Sequence, residues 1–236
     1  MDWWKAAFNA WYPAVYAKRD DASASIEVET AVPMLGLAPR QRILDLACGG
    51  GRHARALSKI GCSVVGCDQS RELLRSALSK SAGPLYVVAD QRALPFADSS
   101  FDASTCFFTS FGYGPDDAHD RRILEETARV IRRSGMFLLD LPDKNRVIEG
   151  LVPESEERRD GIVVRSRRAW TGTRVEKDVV VTRPSGEPLA AWKESVHLYE
   201  EKEVIDMLDR AGFDVVDSRN SLGTSDDRLV LTSRRR

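Results

Sequence analysis

The most constraining feature of the sequence is an apolar run that contains an aspartate and leads through three consecutive glycines into a helical segment. The apolar run covers residues 42–47, the glycines are Gly49, Gly50 and Gly51, and the helical segment covers residues 52–60. An apolar run of this length, bounded by glycine, is typical of a strand that is buried on both faces of a sheet. We therefore expect a βαβ unit whose first strand ends at a ligand-binding turn.

The alternation of strands and helices continues along the chain. Further strands are predicted at residues 63–68, 85–89, 101–108 and 136–141, and helices at residues 71–80 and 117–132. Strands that alternate with helices at this spacing are joined by right-handed crossovers and form a parallel sheet with helices on both faces. The expected fold class is therefore α/β, with a Rossmann-like, doubly wound sheet.

The pattern changes after Pro142. Three consecutive strands joined by turns are predicted at residues 162–168, 173–183 and 191–198. Strands without intervening helices pair antiparallel, so we expect an antiparallel insertion over residues 154–199, after the fifth strand. A helix at residues 200–210 and two closing strands, at residues 213–218 and 228–233, complete the pattern.

One domain over residues 1–236 is the expected organisation, because this length suits a single α/β core with an insertion. Residues 1–37 precede the first strand. Their aromatic residues recur three to four positions apart, which predicts a short helix that ends at Pro13, and residues 26–37 predict a second helix. We interpret residues 1–37 as a helical lid.

Composition narrows the classes of partner. Lys and Arg (35) nearly balance Asp and Glu (36), so no overall positive field favours nucleic acid or an anionic membrane surface. No apolar run approaches the roughly 20 residues that span a bilayer, and signal-peptide features are absent from the first residues. We expect a cytoplasmic protein.

The sequence contains four cysteines, Cys48, Cys62, Cys67 and Cys106. Their spacing is not that of a zinc site, so we interpret them as reduced, mostly buried thiols. No metal site is predicted.

Three of the predicted strands end in an acidic residue or a glycine loop. Asp45 precedes the glycine loop, Asp68 with Gln69 ends the second strand, and Asp90 with Gln91 ends the third. A glycine turn at a helix start lets a ligand approach the backbone N–H groups, and an acid on the second strand can accept both ribose hydroxyls. Asp90 would accept from the adenine amine, and the Gln91 N–H would donate to the ring. The pattern predicts a nucleoside site.

The glycine loop alone allows two cofactors. The spacing Gly49-x-Gly51-x-x-Ala54 also fits the dinucleotide fingerprint, which would indicate a nicotinamide-dependent oxidoreductase. Asp45 argues against it, because a carboxylate at the end of the first strand opposes the negative charge of a pyrophosphate. The ammonium and sulfonium of S-adenosylmethionine would be favoured there, directly or through water.

Several motifs together resemble the class I S-adenosylmethionine-dependent methyltransferases, in particular the small-molecule group related to the type 11 and type 25 methyltransferase families. The similar segments are the D-x-G-x-G-x-G-like loop at residues 45–53, the ribose-binding strand end at 65–70, the adenine-side acid at 89–90, and the later motifs at 101–102, 130–135 and 198–213. The resemblance implies a seven-stranded, mostly parallel sheet with strand order 3-2-1-4-5-7-6, an antiparallel seventh strand, and S-adenosylmethionine as cofactor.

Two positions depart from the family pattern. Ala47 replaces the first glycine of the loop, which is tolerated if its φ is not positive, and Ser134 stands where relatives have glycine or proline, with a local effect expected. The resemblance and the strand ends together predict the following cofactor contacts: Tyr16, Asp45, Ala47, Cys48, Gly49, Gly51, His53, Asp68, Gln69, Asp90, Gln91 and Phe107.

The catalytic residues are less sharply predicted, because methyl transfer depends chiefly on a dry, oriented pocket. Candidates near the acceptor are His119, after the Gly112–Pro115 loop, His197 on an insertion strand, and Tyr113. We expect three parts of the chain to form the wall of the acceptor site: residues 106–113, the opening aromatic segment that begins with residues 3–13, and the insertion. Tyr12 and Tyr16 would close over the sulfonium or the acceptor, or would pack as helix residues.

The residues leave functions besides small-molecule methylation open. Arginines in the insertion would allow an RNA-modifying methyltransferase, although glutamates among them favour a solvated face, a dimer interface or a substrate lid. The sequence is also compatible with a nicotinamide-dependent oxidoreductase and with a protein that binds S-adenosylmethionine without catalysis. It does not distinguish O-, N- and C-methylation.

Overall fold

The computed structural model describes residues 3–16, 19–80, 83–108 and 111–236, and for residue 5 the backbone alone. A seven-stranded sheet contains β1 (Arg42–Leu46), β2 (Ser63–Asp68), β3 (Leu85–Val88), β4 (Phe101–Cys106), β5 (Ile131–Pro142), β10 (Phe213–Arg219) and β11 (Arg228–Arg235). A four-stranded sheet contains β6 (Glu154–Arg159), β7 (Ile162–Trp170), β8 (Arg174–Thr182) and β9 (Pro188–His197). Eight helices are described: α1 (Trp3–Ala7), α2 (Tyr12–Val15), α3 (Asp21–Leu35), α4 (Arg52–Lys59), α5 (Arg71–Lys80), α6 (Asp117–Val130), α7 (Lys144–Glu149) and α8 (Glu201–Arg210).

The order of strands in the large sheet is β10-β11-β5-β4-β1-β2-β3. Strands β1 to β5 pair in parallel, and β11 pairs antiparallel to both β5 and β10. The predicted order 3-2-1-4-5-7-6 and the α/β fold class are therefore confirmed. Because β1 lies between β2 and β4, the direction of chain progression reverses beside β1, and a ligand crevice is expected at its carboxyl end.

Helices cover both faces of the large sheet. Apolar residues of α6 and α8, such as Leu124 and Leu208, pack in one core with residues of β1, β4 and β5. Residues of α3 and α4, such as Val28 and Leu57, pack in a second core on the other face. The four cysteines are buried and free, as predicted. No described helix has the length and apolar character to cross a membrane.

The insertion is an antiparallel meander in which β6, β7, β8 and β9 pair in chain order. Its inner face contains buried Val179, Val181 and Trp192, which pack with Ala7 of α1 and Val15 of α2. The opening aromatic segment contains α1 and α2 and ends at Tyr16. It therefore lies between the large sheet and the insertion. Both sides of that segment are available to line cavities.

Three helical expectations need correction. Pro13 begins a helix instead of ending one: it lies in the first turn of α2, where its missing N–H has no intrahelical partner to lose. Helix α3 starts at Asp21, five residues earlier than expected, because Asp20 caps it by accepting from the Ser23 N–H. Helix α7 was not predicted, because it is short and none of its residues is buried.

Two strand expectations also differ. Strand β5 begins at Ile131, five residues before the predicted start. Ser134, which stands where relatives have glycine or proline, lies within this strand at φ 61°. Strand β6 was missed, because its six residues are charged or polar and it lies at the edge of the insertion sheet. An exposed edge strand lacks the alternation of apolar and polar residues from which strands are recognised.

Candidate active site

A cavity of about 510 Å³ opens at the carboxyl ends of β1, β2 and β3. The loop after β1 forms one wall through Ala47, Cys48 and Gly49, and Asp68 with Gln69 forms the next. The opening aromatic segment lies on the opposite side, where Trp4, Phe8, Tyr12 and Tyr16 line the cavity together with Tyr113 and His119. The cavity thus lies at the switch point that the strand order predicts.

The loop between β1 and α4 alternates through left-handed backbone conformations, with φ of 50° at Ala47, 52° at Gly49 and 74° at Gly51. Ala47 therefore does not meet the condition of a non-positive φ under which alanine would be tolerated, and this residue bears the strain that glycine would relieve. Gly51 does not line the cavity. A Cβ there would lie 2.3 Å from the Tyr86 hydroxyl, so this glycine makes room for a tyrosine and not for a ligand.

Asp45 was predicted to contact the cofactor, but it lies beneath the loop, is only 1% exposed and does not line the cavity itself. One carboxylate oxygen accepts from Thr105 Oγ1 at 3.2 Å, and Oδ2 has no hydrogen-bond partner among the described residues. Burial raises the pKa of Asp45 to about 7, against the hydrogen bond from Thr105. A buried carboxylate without a full set of partners favours a cation nearby, and it opposes a pyrophosphate.

Asp68 both shapes the loop and faces the cavity. Its Oδ2 accepts from the Gly49 N–H at 2.8 Å, and its Oδ1 accepts from the Ser70 N–H at 2.7 Å. Burial raises the pKa of Asp68. Each carboxylate oxygen has a further lone pair, so Asp68 can hold the loop and still accept a ribose hydroxyl.

Asp90 is not on the cavity wall, in contrast to its predicted role toward adenine. Its carboxylate accepts from the Arg92 side chain, with Nε at 3.0 Å from Oδ1, and from the Arg92 backbone N–H at 2.9 Å. These bonds from Arg92 hold the pKa of Asp90 below its usual value. Its neighbours Ala89 and Gln91 line the cavity instead. The end of β3 therefore meets the cavity through the residues on either side of the predicted acid.

His53 lies on the cavity wall and is part of a buried cluster. Its Nε2 lies 2.6 Å from Glu27 Oε2, and its ring stacks on Phe107 with centroids 4.1 Å apart. Thr224 donates to the second oxygen of Glu27 at 2.7 Å. Burial lowers the pKa of His53 to about 4, so the ring is neutral near pH 7. His53 and Phe107 together form a rigid flat surface behind the loop.

The histidines proposed as catalytic lie in different places. His119 lines the cavity, its side chain is 7% exposed, and its Nε2 has no hydrogen-bond partner among the described residues. His197 does not line this cavity. It stacks on Tyr199 at 4.1 Å, and its backbone N–H donates to the Gly112 carbonyl. The structure thus gives His197 packing contacts and no access to a ligand in the cavity.

The rest of the predicted acceptor wall is divided. Tyr113 packs against Trp3 at 4.7 Å and lines the cavity, as Phe107 and Phe108 do. Cys106 is 1% exposed and faces the core. Thr109 and Ser110 lie outside the described residues.

A second cavity, of about 690 Å³, lies between the opening aromatic segment and the insertion sheet. Strands β8 and β9 contribute Lys177 and Glu194 to it, and β7 contributes Arg168. Of the residues that the structure describes, six line both cavities and form the boundary between them: Phe8, Tyr12, Tyr16, Arg19, Phe108 and Tyr113. The two cavities therefore share one wall.

Phe108 in the boundary is held in place by residues that the sequence analysis did not identify. Its φ is 59°, and its N–H donates to Asp140 Oδ2 at 2.9 Å. Arg228 donates to Asp140 Oδ1 at 2.8 Å and lies over the Phe108 ring at 4.5 Å, and Arg19 also lies over that ring, at 4.0 Å. The one signal in the sequence is Asp140 itself, which interrupts the apolar run of β5.

Tyr16 was predicted to contact the cofactor, and its ring does line the first cavity. Its hydroxyl, however, is engaged by the insertion: it donates to the Glu194 carboxylate at 2.6 Å and accepts from Lys177 Nζ at 2.6 Å. Burial raises the pKa of Tyr16, and Glu194 raises it further. Tyr16 therefore links the cofactor side of the boundary to the insertion. Neither Lys177 nor Glu194 was identified from the sequence.

The arginines of the insertion are mostly paired with carboxylates. Arg158, Arg159, Arg165, Arg167 and Arg183 lie beside glutamates of the same sheet or its turn. Arg174 donates to Ser195 and to the Gly112 carbonyl. The charges of these described residues thus largely neutralise one another.

Comparison with known proteins supports the interpretation of the sequence. Residues 44–139 match the family model of a methyltransferase domain. The demethylmenaquinone methyltransferase of Corynebacterium kroppenstedtii is 40% identical over 97 residues, which cover 41% of this chain and 40% of that protein. An uncharacterised protein of Methanocaldococcus jannaschii is 29% identical over 74% of this chain and 62% of its own length. The chain spans about two fifths of the curated methyltransferases that it matches.

The similarity to solved structures extends over the whole chain. An S-adenosylmethionine-dependent methyltransferase from Clostridium acetobutylicum has a TM-score of 0.80 at 17% identity and covers 95% of each chain. The amino pentose methyltransferase CalS10 from Micromonospora echinaspora, solved with S-adenosylmethionine bound, has a TM-score of 0.74 at 21% identity and covers 97% of this chain and 98% of its own. The predicted resemblance is confirmed at the level of the match and the fold: residues 44–139 match a methyltransferase domain, and the fold is similar to that of solved S-adenosylmethionine-dependent methyltransferases.

Proposed function

We propose that this chain transfers the methyl group of S-adenosylmethionine to a nitrogen or oxygen atom of a small-molecule acceptor. The observation that carries the proposal is the shared boundary of the two cavities, in which Tyr12, Tyr16 and Phe108 line both. Methyl transfer is an in-line displacement, which requires that the acceptor atom approach the methyl carbon to roughly 3–3.5 Å. Two cavities that share these side chains support such an arrangement of cofactor and acceptor.

The cofactor is S-adenosylmethionine, held in the first cavity. We assign the ribose to Asp68 and Gln69, the adenine side to Ala89 and Gln91, and the methionine part to the loop above Asp45. The fit is supported by the Asp45 oxygen that has no partner among the described residues, since the ammonium and sulfonium supply positive charge. NAD fits less well, because Asp45 would oppose its pyrophosphate. When bound, the cofactor supplies an electrophilic methyl group.

The acceptor is assigned to the second cavity, whose volume of about 690 Å³ lies in the range of small-ligand sites, roughly 300–1,000 Å³. Small acceptors are also indicated by the names of similar proteins, among them an amino pentose methyltransferase and a demethylmenaquinone methyltransferase. The paired arginines of the insertion disfavour RNA. Residues 1–37 act as a lid in this proposal, and the insertion acts as the acceptor wall within a single domain.

The first test is ligand-dependent unfolding. Thermal unfolding is recorded without ligand and with S-adenosylmethionine, S-adenosylhomocysteine or NAD. A ligand at about 100 times its dissociation constant stabilises the fold by roughly 2.7 kcal/mol, and each kcal/mol raises Tm by about 2–4 °C. We expect a shift with the two sulfur nucleosides and none with NAD. A shift with NAD alone would overturn the proposal.

The second test is turnover. Release of S-adenosylhomocysteine is followed with a panel of small amines, phenols and sugars, and with a structured RNA. Release with a small acceptor supports the proposed function. Salt-sensitive release with RNA and with none of the small molecules would favour RNA modification instead.

A further inference from the structure

The insertion places a row of three charged residues against the acceptor cavity. In the register of the sheet, Lys177 on β8 pairs with Arg168 on β7 and with Glu194 on β9. Directly paired residues of neighbouring strands point to the same face, and all three line the second cavity. The row therefore faces the second cavity.

Lys177 is held at the boundary between the cavities. Its Nζ donates to the Tyr16 hydroxyl at 2.6 Å, lies 4.4 Å from the centre of the Tyr16 ring, and is 3.9 Å from Glu194 Oε2. Its side chain is 12% exposed. Because Tyr16 also lines the cofactor cavity, the amine of Lys177 is one side chain away from the site of methyl transfer.

We infer that Lys177 is the general base of the proposed methyl transfer, removing a proton from an amine or phenol in the second cavity, with Tyr16 and Glu194 as positioning residues. The inference rests on the proposed function. In the step, an acceptor in its ammonium or phenol form gives one N–H or O–H proton to the neutral amine of Lys177. The acceptor electron pair forms the new bond to the methyl carbon, the S–CH₃ bond breaks, and its electron pair stays on sulfur as S-adenosylhomocysteine.

The other polar groups at the boundary are less suited to accept this proton. The Tyr16 hydroxyl donates to Glu194, and burial raises the pKa of Tyr16. This hydroxyl therefore does not lose its proton readily and is poorly suited to act as a base. Glu194 already accepts from Tyr16 and from Trp192 Nε1 at 2.8 Å. His119 lines only the cofactor cavity. Among these four side chains, Lys177 is thus the best suited to accept a proton from an acceptor in the second cavity.

The charges around Lys177 favour a titratable amine. Burial lowers the pKa of Lys177 to about 8, Glu194 raises it, and Arg168 and Arg19 lower it. Glu194 lies on β9 and Arg168 on β7, the two strands that flank Lys177. Arg19 lies in the segment that precedes α3. A base is most effective when its pKa lies near the working pH, and an amine or phenol has a pKa close enough to exchange protons with it.

The first experiment compares Lys177→Met and Lys177→Arg with the matched control Lys193→Met, an exposed lysine on β9 that lines neither cavity. Binding of S-adenosylmethionine is measured by calorimetry and should be unchanged in all three. With an amine or phenol from the panel, both Lys177 variants should lower kcat by roughly 10²- to 10⁴-fold with little change in KM. Wild-type kcat should rise with pH with a midpoint of about 8, and the rise should be absent from both variants.

The second experiment needs no acceptor. Competitive acylation with acetic anhydride over a range of pH, read by mass spectrometry, gives the pKa of each reactive lysine. Lys177 should titrate near 8, and Tyr16→Phe should shift the pKa of Lys177. Near-normal turnover in Lys177→Met, or an ordinary lysine pKa for Lys177, would overturn the inference. Failure to bind S-adenosylmethionine would overturn the proposed function instead.

Discussion

Thr105 donates to one oxygen of the buried Asp45 at 3.2 Å, while the second oxygen of that carboxylate has no partner among the described residues. A half-satisfied carboxylate destabilises the fold without ligand and stabilises a cation beside it. The ionisation of Asp45 should therefore affect both the pH dependence of stability and the proposed binding of a sulfonium cofactor.

The first prediction concerns cofactor affinity. Asp45→Asn removes the charge and keeps the shape, so we expect S-adenosylmethionine to bind roughly 10- to 100-fold more weakly, since an interaction with a charged group contributes about 1.5–3 kcal/mol. Calorimetry measures the change. Asp178→Asn, at an exposed position outside both cavities, serves as the control. Unchanged affinity in Asp45→Asn would remove Asp45 from cofactor recognition.

The same substitution should stabilise the protein without ligand. The pKa of Asp45 is about 7 in the fold and is raised from 3.8, so wild-type stability is lost as pH rises from about 4 to 7. Asp45→Asn does not titrate, and at pH 8 it should be more stable than wild type by about 1–4 kcal/mol, with the difference vanishing near pH 4. Urea unfolding at both pH values checks this expectation.

The second prediction tests the loop. Gly51→Ala should lower the free energy of unfolding by about 2–4 kcal/mol, because a Cβ at φ 74° is strained and would lie 2.3 Å from the Tyr86 hydroxyl. Gly50→Ala is the matched control, since a Cβ there meets nothing within 4 Å. The double variant Gly51→Ala/Tyr86→Leu should recover part of the loss. Equal stability of the two alanine variants would contradict the packing role of Gly51.

The third prediction separates the two histidines that the sequence proposed as catalytic. His119→Asn should weaken cofactor binding or turnover, because the ring lines the cofactor cavity. His197→Asn should leave turnover near normal, because the ring stacks on Tyr199 away from both cavities. The turnover of the two variants is compared by following the release of S-adenosylhomocysteine. Loss of turnover in His197→Asn at unchanged stability would restore its catalytic role.

The fourth prediction uses the buried pair of His53 and Glu27. Because the pKa of His53 is lowered to about 4 in the fold and is 6.5 in a model peptide, the unfolded chain binds a proton first as pH falls. Stability should therefore drop between pH 6.5 and 4, by at most a few kcal/mol, and His53→Gln should flatten this part of the curve. Thermal unfolding at half-unit pH steps measures it. Parallel curves for the two proteins would show that His53 does not titrate in this range.

Much of the fold was predictable from local patterns. Buried parallel strands such as β1 and β2 are short apolar runs ended by an acid or a glycine, and α5 matched its predicted bounds. The seven-stranded order came from the family resemblance, since strand order depends on which strands meet and not on their spacing. Edge strand β6 and the short helix α7 were missed because neither has an apolar periodicity.

The candidate site was predictable in outline and not in detail. The sequence by itself determined that acidic residues and a glycine loop follow neighbouring parallel strands, because these strands end at one edge of the sheet. It did not determine that Asp90 turns to Arg92, that Gly51 makes room for Tyr86, or that Lys177 and Glu194 meet Tyr16. Asp90 and Arg92 lie two residues apart in one loop, whereas the other contacts join residues on separate elements through strand register and packing. Only the tertiary structure decided them, because no local periodicity of the chain records which distant side chains come within hydrogen-bond distance.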